Sequence, residues 1–197
     1  KKRCSKIFLM NKLLKNNSEV NKSSPVKLSS YHLLAIEGMQ KTEIQKLLDR
    51  ADYFANLDKH ADTKYLSGYV VLNVFFENST RTRVSFELAA RRLGAEVINI
   101  SLINSSIKKG ESLLDTASTL NAMKPDLLIV RHPHSGAPLL FAEYLNCSII
   151  NAGDGRHEHP TQALLDALTI KRRIGYLNGL KISICGDISN SRVARSN

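Results

Sequence analysis

The chain has 197 residues, 43% of them hydrophobic, and a formal net charge of +10. That length allows one domain, or one domain and part of another, around an ordinary core, and no apolar stretch approaches the roughly 20 residues of a membrane-spanning helix. The three cysteines, Cys4, Cys147 and Cys185, are far apart and form no CxxC pair, which argues against a disulfide framework and a cysteine-rich zinc site and fits a reducing compartment.

The charge is unevenly spread. Residues 1–30 carry eight Lys and Arg against Glu19 alone, a net +7, and the remaining residues hold only +3. The basic excess therefore belongs to a tail, expected over 1–27 and largely disordered. The body lacks the basic stripe of a nucleic-acid binder, and no aromatic platform accompanies the tail. The apolar patch Ile7-Phe8-Leu9-Met10 is too short for a secretory signal core, and the tail is poor in Arg for a transit peptide. Met10 is a candidate native start.

After the tail, 43–57 reads as a helix with Ile44, Leu47, Leu48, Ala51 and Phe54 on one face. The apolar run 69–76 reads as a strand. From Thr80, Phe86, Ala89, Ala90 and Leu93 recur at helical spacing. Residues 95–100 form a second strand, 101–110 a polar loop and 111–123 a helix bounded by Lys124-Pro125. A third strand is expected at 126–131, a short helix at 136–145 and a fourth strand at 147–151. The loop 152–159 leads to a helix that Pro160 opens at a favoured first-turn position and that runs to about Arg173. A fifth strand is expected at 181–185, and a further helix starts near Asn190.

Strands alternate with helices, and the strands are short continuous apolar runs. The pattern predicts an α/β fold, a parallel sheet with helices on both faces in three layers. Ligands of such sheets sit outside the carboxyl ends of the strands. Here those ends are the loops 77–82, 101–110, 131–135, 151–159 and 186–192, which hold the polar clusters. Ser79-Thr80-Arg81-Thr82-Arg83 stands at a strand-to-helix turn. A helix N-terminus offers unpaired N–H groups and the positive end of the dipole. With hydroxyls and guanidiniums added, the turn suits a phosphate-like anion; as an ordinary serine N-cap it needs only solvated arginines. It lacks the Gly-Lys-Ser/Thr signature of a Walker A loop. Arg131 ends a strand and aims a guanidinium at the same crevice. His159 stands at or near a helix N-cap, where the dipole disfavours the imidazolium, so it reads as a neutral donor able to polarise a carbonyl.

In this order, Phe75-Phe76-Glu77-Asn78-Ser79-Thr80-Arg81-Thr82-Arg83, Val130-Arg131-His132-Pro133 and His159-Pro160-Thr161-Gln162-Ala163-Leu164-Leu165-Asp166 resemble the aspartate/ornithine carbamoyltransferase family, over about residues 28–197. Thr161 sets the chain with the aspartate branch, because the ornithine branch typically carries Cys there. The loop Asn104 to Glu111 resembles one that a neighbouring subunit lends to the active site. Gly186 to Arg192 resembles the start of the aspartate-binding domain, of which little follows before Asn197. The division implied is a carbamoyl-phosphate-binding domain at 28–160, a linking helix at 161–178 and the opening of the aspartate domain at 179–197.

The resemblance implies transfer of a carbamoyl group from carbamoyl phosphate to L-aspartate, giving N-carbamoyl-L-aspartate and phosphate, in de novo pyrimidine biosynthesis in the cytoplasm. Ser79, Thr80, Arg81 and Thr82 would hold the phosphate. Thr82, Arg131 and His159 would surround the carbonyl oxygen, where charge grows in the transition state. Gln162 would bond the carbamoyl amide. Ser105 and Lys109 would reach in from an adjacent subunit of a homotrimer with shared sites, and Lys109 and Arg192 would meet the aspartate. No metal and no organic cofactor is implied, and neither nucleic acid nor membrane is a partner. With so little of the aspartate domain, the chain is expected to bind carbamoyl phosphate without turnover. An ornithine or other amino-acid carbamoyltransferase is the near alternative. A metal-dependent hydrolase using the pairs His132/His134 and His157/His159 is the alternative of another class, weakened by the lack of carboxylate ligands at strand ends.

Overall fold

The computed structural model describes residues 28–58, 61, 63–102 and 112–197. The elements run α1 (Lys41–Asn56), β1 (Val70–Phe75), α2 (Thr80–Arg92), β2 (Glu96–Ser101), α3 (Leu113–Ala122), β3 (Leu127–His132), α4 (Ala137–Tyr144), β4 (Ser148–Asp154), α5 (Pro160–Ile174), a 3-10 turn at Ile188–Asn190 and α6 (Arg192–Ser196).

The four strands form one parallel sheet in the order β2-β1-β3-β4. From β1 the chain moves to β2 on one side, then returns past β1 to place β3 on the other. Strand order therefore reverses between β1 and β3. In open parallel sheets this reversal opens a crevice at the carboxyl ends of the two strands. Phe75 pairs with Arg131 in the register, so Arg131 and the residues after Phe75 stand on opposite lips of that crevice.

Side chains alternate across the sheet, and both sets are buried, which explains the continuous apolar runs. Leu72, Val74 and Phe76 join Leu128, Val130 and Ile149 with Ala117, Leu120, Phe141 and Leu145 of the α3–α4 side. Val71, Phe75, Ile129 and Ala152 pack with Ala90 of α2 on the opposite face. Between Val71 and Phe75, Asn73 is also fully buried. Its amide donates to Arg83 O at 3.0 Å and to Asn99 Oδ1 at 2.8 Å, tying the first turns of α2 to β1 and β2. Ahead of α1, Leu33 adds a short parallel bridge beside β4, with Leu33 N donating to Ile149 O and Asn151 N donating to Leu33 O, both at 2.9 Å. Helix α1 lies against α5, where Lys171 meets Asp49 at 2.9 Å and Arg172 meets Asp52 at 2.6 Å. Lys171, Arg172 and Arg173 sit in the last turn of α5, where cations complement the helix dipole.

The expected elements appear within a residue or two of their ends, with two differences. Strand β4 runs three residues past 151, to Asp154, held by the pair His132↔Asp154 beyond a bulge in the ladder. Asn-Ala-Gly-Asp carries no apolar signal, so the loop expected from 152 begins only at Gly155. The expected fifth strand at 181–185 is not formed. Ile182 and Ile184 are 61% and 48% exposed, and among the described residues no strand pairs with them. Apolar alternation alone makes no strand, because a ladder needs a partner's backbone groups. The loop residues Ser105 and Lys109, and the tail 1–27, lie outside the described residues.

Candidate active site

Three cationic or donor side chains converge on the crevice from three elements. Arg131 reaches up from β3 with its side chain 12% exposed. Its Nε donates to Glu77 Oε1 at 2.6 Å and its Nη1 to Ala152 O at 3.1 Å. Nη1 also lies 3.5 Å from His159 Nε2. Arg192, at the start of α6, donates from Nη2 to the same Glu77 oxygen at 2.6 Å. One carboxylate oxygen thus holds two guanidiniums together. Burial works against ionisation of Glu77, yet Arg192 and then Arg131 keep its carboxyl below the usual range. Burial, followed by repulsion from Arg192, lowers the pKa of Arg131 from its ordinary value.

The backbone between these groups is Gly153. A Cβ there would stand 3.2 Å from Arg131 Nη1, Arg192 Nε and His159 Cδ2 alike, and φ is +113°. Both the close approach and the backbone region call for glycine. Arg192 Nη1 is buried and has no hydrogen-bond partner among the described residues. A buried guanidinium N–H without an acceptor inside a crevice is a mark of a polar ligand's place.

His159 is the N-cap of α5, with Pro160 at the first helical position. It is 7% exposed. Its pKa is depressed to about 4, first by burial, then by Arg131 and Arg192. The ring is therefore neutral at pH 7, as its place at a helix start suggested, although burial outweighs other causes. Its backbone N–H donates to Ser196 Oγ at 2.7 Å, and that hydroxyl donates to the buried Glu158 carboxylate. This link ties α6, and with it Arg192, to the first turn of α5.

On the opposite lip, Ser79 is the N-cap of α2, and no side-chain cap bond closes that N-terminus. Thr80 and Arg81 are exposed, and Ser79 and Thr82 partly buried. The N–H groups of the first turn, two threonine hydroxyls and the Arg81 guanidinium thus follow the carboxyl end of β1, the strand that pairs with β3 and its Arg131. Gln162, in the first turn of α5, donates from Nε2 to Asp166 Oδ1 at 2.9 Å. The structure brings Arg131, His159 and Arg192 into direct contact with one another or with Glu77. The 79–82 turn follows Glu77 in the chain, past the carboxyl end of β1.

The sequence reading omitted Glu77, Gly153, Glu158 and Ser196. Glu77 follows β1 by two residues, at a strand's carboxyl end, so its place was readable. Its sharing between Arg131 and Arg192 was not, because 115 positions separate it from Arg192. The two His-x-His pairs do not form one ligand set: among the described residues no group of three or more His, Cys, Asp or Glu could hold a metal. His132 is buried against Phe76, and its Nδ1 accepts the His134 N–H at 2.9 Å.

Fold and crevice together define a parallel α/β ligand-binding domain with an anion-accepting switch point. A family model for the carbamoyl-phosphate-binding domain of aspartate/ornithine carbamoyltransferase matches residues 31–172, and the chain belongs to that family. The aspartate carbamoyltransferase catalytic subunit of Rhodospirillum rubrum is 62% identical over 168 residues, covering 84% of this chain and 53% of that protein. The corresponding protein of Dinoroseobacter shibae is 63% identical over 174 residues, covering 86% and 54%. Aspartate transcarbamoylase from Trypanosoma cruzi in complex with carbamoyl aspartate and phosphate superposes with a TM-score of 0.78 at 37% identity, over 84% of this chain and 51% of that one. The catalytic subunit of the M. jannaschii enzyme gives 0.76 at 45% identity, over 84% and 54%. The chain thus spans about half the length of the relatives it matches.

Proposed function

We propose that this chain is the carbamoyl-phosphate-binding half of an aspartate carbamoyltransferase. The observation that carries the reading is the convergence of Arg131, His159 and Arg192 around Gly153, beside the open N-terminus of α2. The names of the relatives at 60–63% identity support aspartate as the second substrate, as does Thr161 in the aspartate-type motif. The Trypanosoma cruzi enzyme in complex with N-(phosphonacetyl)-L-aspartic acid, at 37% identity, is consistent with one crevice that meets both a phosphonate and an aspartate moiety.

In the whole protein the N–H groups, hydroxyls and guanidinium of Ser79 to Thr82 bind the phosphate. Arg131, Thr82 and neutral His159 face the carbonyl oxygen. As the aspartate amine attacks, that oxygen gains negative charge, and fixed donors stabilise it more than they do the ground state. Neutral at pH 7, His159 keeps one ring N–H and acts by donating that hydrogen bond to the carbonyl oxygen. Gln162 orients the carbamoyl amide. The C–N bond forms as the C–O bond to phosphate breaks, and the departing phosphate dianion takes up the amine proton. Holding both substrates in line supplies much of the rate. Arg192 belongs to the aspartate side and is linked through Glu77 to the phosphate side.

Residues 28–160 form the binding domain, 161–178 the linking helix and 179–197 the start of the second domain. The product serves pyrimidine synthesis in the cytoplasm. A homotrimer, with Ser105 and Lys109 entering a neighbour's site, completes the assembly. The edge strand β2, which pairs only with β1 among the described residues, supports association: Ile98 of β2 and Val84 and Leu88 of α2 are about half exposed, and such an edge beside apolar side chains invites a partner.

The test is calorimetric titration of the chain with phosphate and carbamoyl phosphate at two protein concentrations, beside a colorimetric carbamoyl-aspartate assay. Anion binding without turnover is expected, tighter at the higher concentration. Measurable turnover would show that the aspartate site is misplaced. Absence of anion binding would refute the phosphate turn.

A further inference from the structure

Asp154 ends β4 with 1% of its surface exposed. Among the described residues it forms no salt bridge to Lys or Arg. Its carboxylate instead collects four donors from three places in the fold. Oδ2 accepts the Gly136 N–H at the start of α4 at 2.7 Å and lies 3.2 Å from His157 Nδ1. Oδ1 accepts Asn151 Nδ2 at 2.9 Å and the Glu158 N–H at 3.0 Å. The backbone closes the same turn: Asp154 N donates to Glu158 O at 3.0 Å and His157 N to Asp154 O at 2.9 Å. Asn151, equally buried, braces the other side, with Oδ1 accepting the Gly153 N–H at 2.8 Å and Nδ2 also donating to Leu34 O at 2.9 Å.

The residues fixed this way bracket the crevice. Gly153 lies just before Asp154, and the Glu158 amide is one residue from His159. The anion's proposed ligands are not among the partners of Asp154. A dry carboxylate with neutral donors costs desolvation energy, which its hydrogen bonds must offset. Each of its oxygens accepts one backbone N–H, from Gly136 or from Glu158, so an amide in its place would turn a donor against one of those N–H groups.

We propose that Asp154, braced by Asn151, is a positioning residue for the reaction: it locks the turn between β4 and α5 so that His159 stands against Arg131 over Gly153. The proposal rests on the reading of His159 as a carbonyl donor, but its geometry can be tested without substrate. The charged groups that act on the His159 ring are Arg131, Arg192 and Asp166, and each reports whether the ring keeps its place.

The experiment is NMR of the His159 ring, with phosphate titration, in the parent chain, Asp154→Asn and Leu120→Ala as a buried control on the α3 face. Release of the turn in Asp154→Asn should let the ring leave the buried arginine pair. Its pKa should then rise from about 4 by about one unit or more. Removing a negative charge would by itself push the ring pKa down, so the sign separates released geometry from lost charge. Phosphate affinity should fall about tenfold, the scale of one misplaced hydrogen bond to a charged group. Leu120→Ala should lower the melting temperature and change neither readout. An unchanged or lowered ring pKa in folded Asp154→Asn overturns the proposal. Should phosphate fail to bind the parent, the anion reading falls, and the ring measurement still decides the role of Asp154. Should Asp154→Asn not fold, His157→Ala decides: it alters a half-exposed ring, and a smaller rise in the same direction is expected. No shift there overturns the proposal.

Discussion

His159 makes the stability of this domain depend on pH in a way that one substitution can isolate. In the folded chain its pKa is about 4, and in the unfolded chain it takes the ordinary value near 6.5. Above pH 6.5 both states hold the ring neutral and nothing is lost. As pH falls from 6.5 towards 4, the unfolded chain takes up the proton first, so stability declines. Below 4 both states are protonated and the decline ends. Between pH 7 and pH 4.5 the expected loss from this residue is about 2 kcal/mol. Carboxylates of the unfolded chain begin to titrate at the lower end of that range, so the parent alone cannot assign the loss. His159→Gln removes the titrating ring and keeps a polar side chain at the position. Urea unfolding of both chains at pH 7 and pH 4.5 gives a difference of differences in which the common groups cancel. The parent should lose about 2 kcal/mol more than the variant. Parallel losses would show that the ring is not held neutral by its surroundings, and the account of His159 as a neutral donor would fall with it.

Gly153→Ala should destabilise the chain by about 1–3 kcal/mol through its positive φ and weaken phosphate binding, because the new methyl meets Arg131, Arg192 and His159 at 3.2 Å; thermal melts and calorimetry read both. Arg81→Ala should weaken carbamoyl phosphate binding by about 1.5–3 kcal/mol, the scale of a hydrogen bond to a charged group, and near-normal affinity would remove Arg81 from the phosphate turn. Phe141→Ala, on a side chain with no exposed surface, should cost about 3–5 kcal/mol. Lys171→Ala, on a surface pair with Asp49, should cost less than about 1 kcal/mol, as chemical denaturation would show.

The fold was legible where burial leaves a pattern and obscure where it does not. Val70 to Phe75 could be read as a central strand because both faces are covered, and Phe86, Ala90 and Leu93 could be read as a helix by their spacing. Ala152 to Asp154 could not be read as strand, since its place depends on the pair His132↔Asp154 and a bulge rather than on an apolar run. Ile182 and Ile184 carry a strand's alternation but lack a ladder among the described residues, so a correct local pattern gave a wrong element. The site divided along the same line. Ser79 to Thr82, Arg131 and His159 stand next to strand ends, and strand ends are visible in sequence. Glu77 and Ser196 act through partners more than 30 positions away, and Gly153 matters for what its missing side chain leaves room for. None of these has a local signature, which is why the electrostatic core of the crevice had to be seen in three dimensions.

The helix N-termini bear on the anion proposed for the crevice. Helix α3 begins beyond the edge strand with a closed cap: Ser112 Oγ accepts the Asp115 N–H at 3.2 Å and Asp115 Oδ2 accepts the Ser112 N–H at 3.0 Å. Helix α6 is closed likewise by Ser191, which accepts from Ala194 N at 3.2 Å. The two helices that open onto the switch point are different. Ser79 starts α2 and His159 starts α5, and neither side chain makes a cap bond. A serine placed to cap but not capping forgoes about 1 kcal/mol of helix stability. That cost leaves first-turn N–H groups directed at the crevice with the positive dipole end behind them. Arg131 and Arg192 add two guanidiniums, and Glu77 can neutralise only one of them. The crevice therefore holds more donors than its own acceptors satisfy, and Arg192 Nη1 is the residue-level trace of that imbalance. A dianion that reaches both helix starts and the free guanidinium edge corrects it, and a neutral ligand does not. Burial first, and then the same two guanidiniums, lower the pKa of His159, so surroundings that would suit the proposed phosphate also keep the imidazole in the form that can hydrogen-bond a carbonyl.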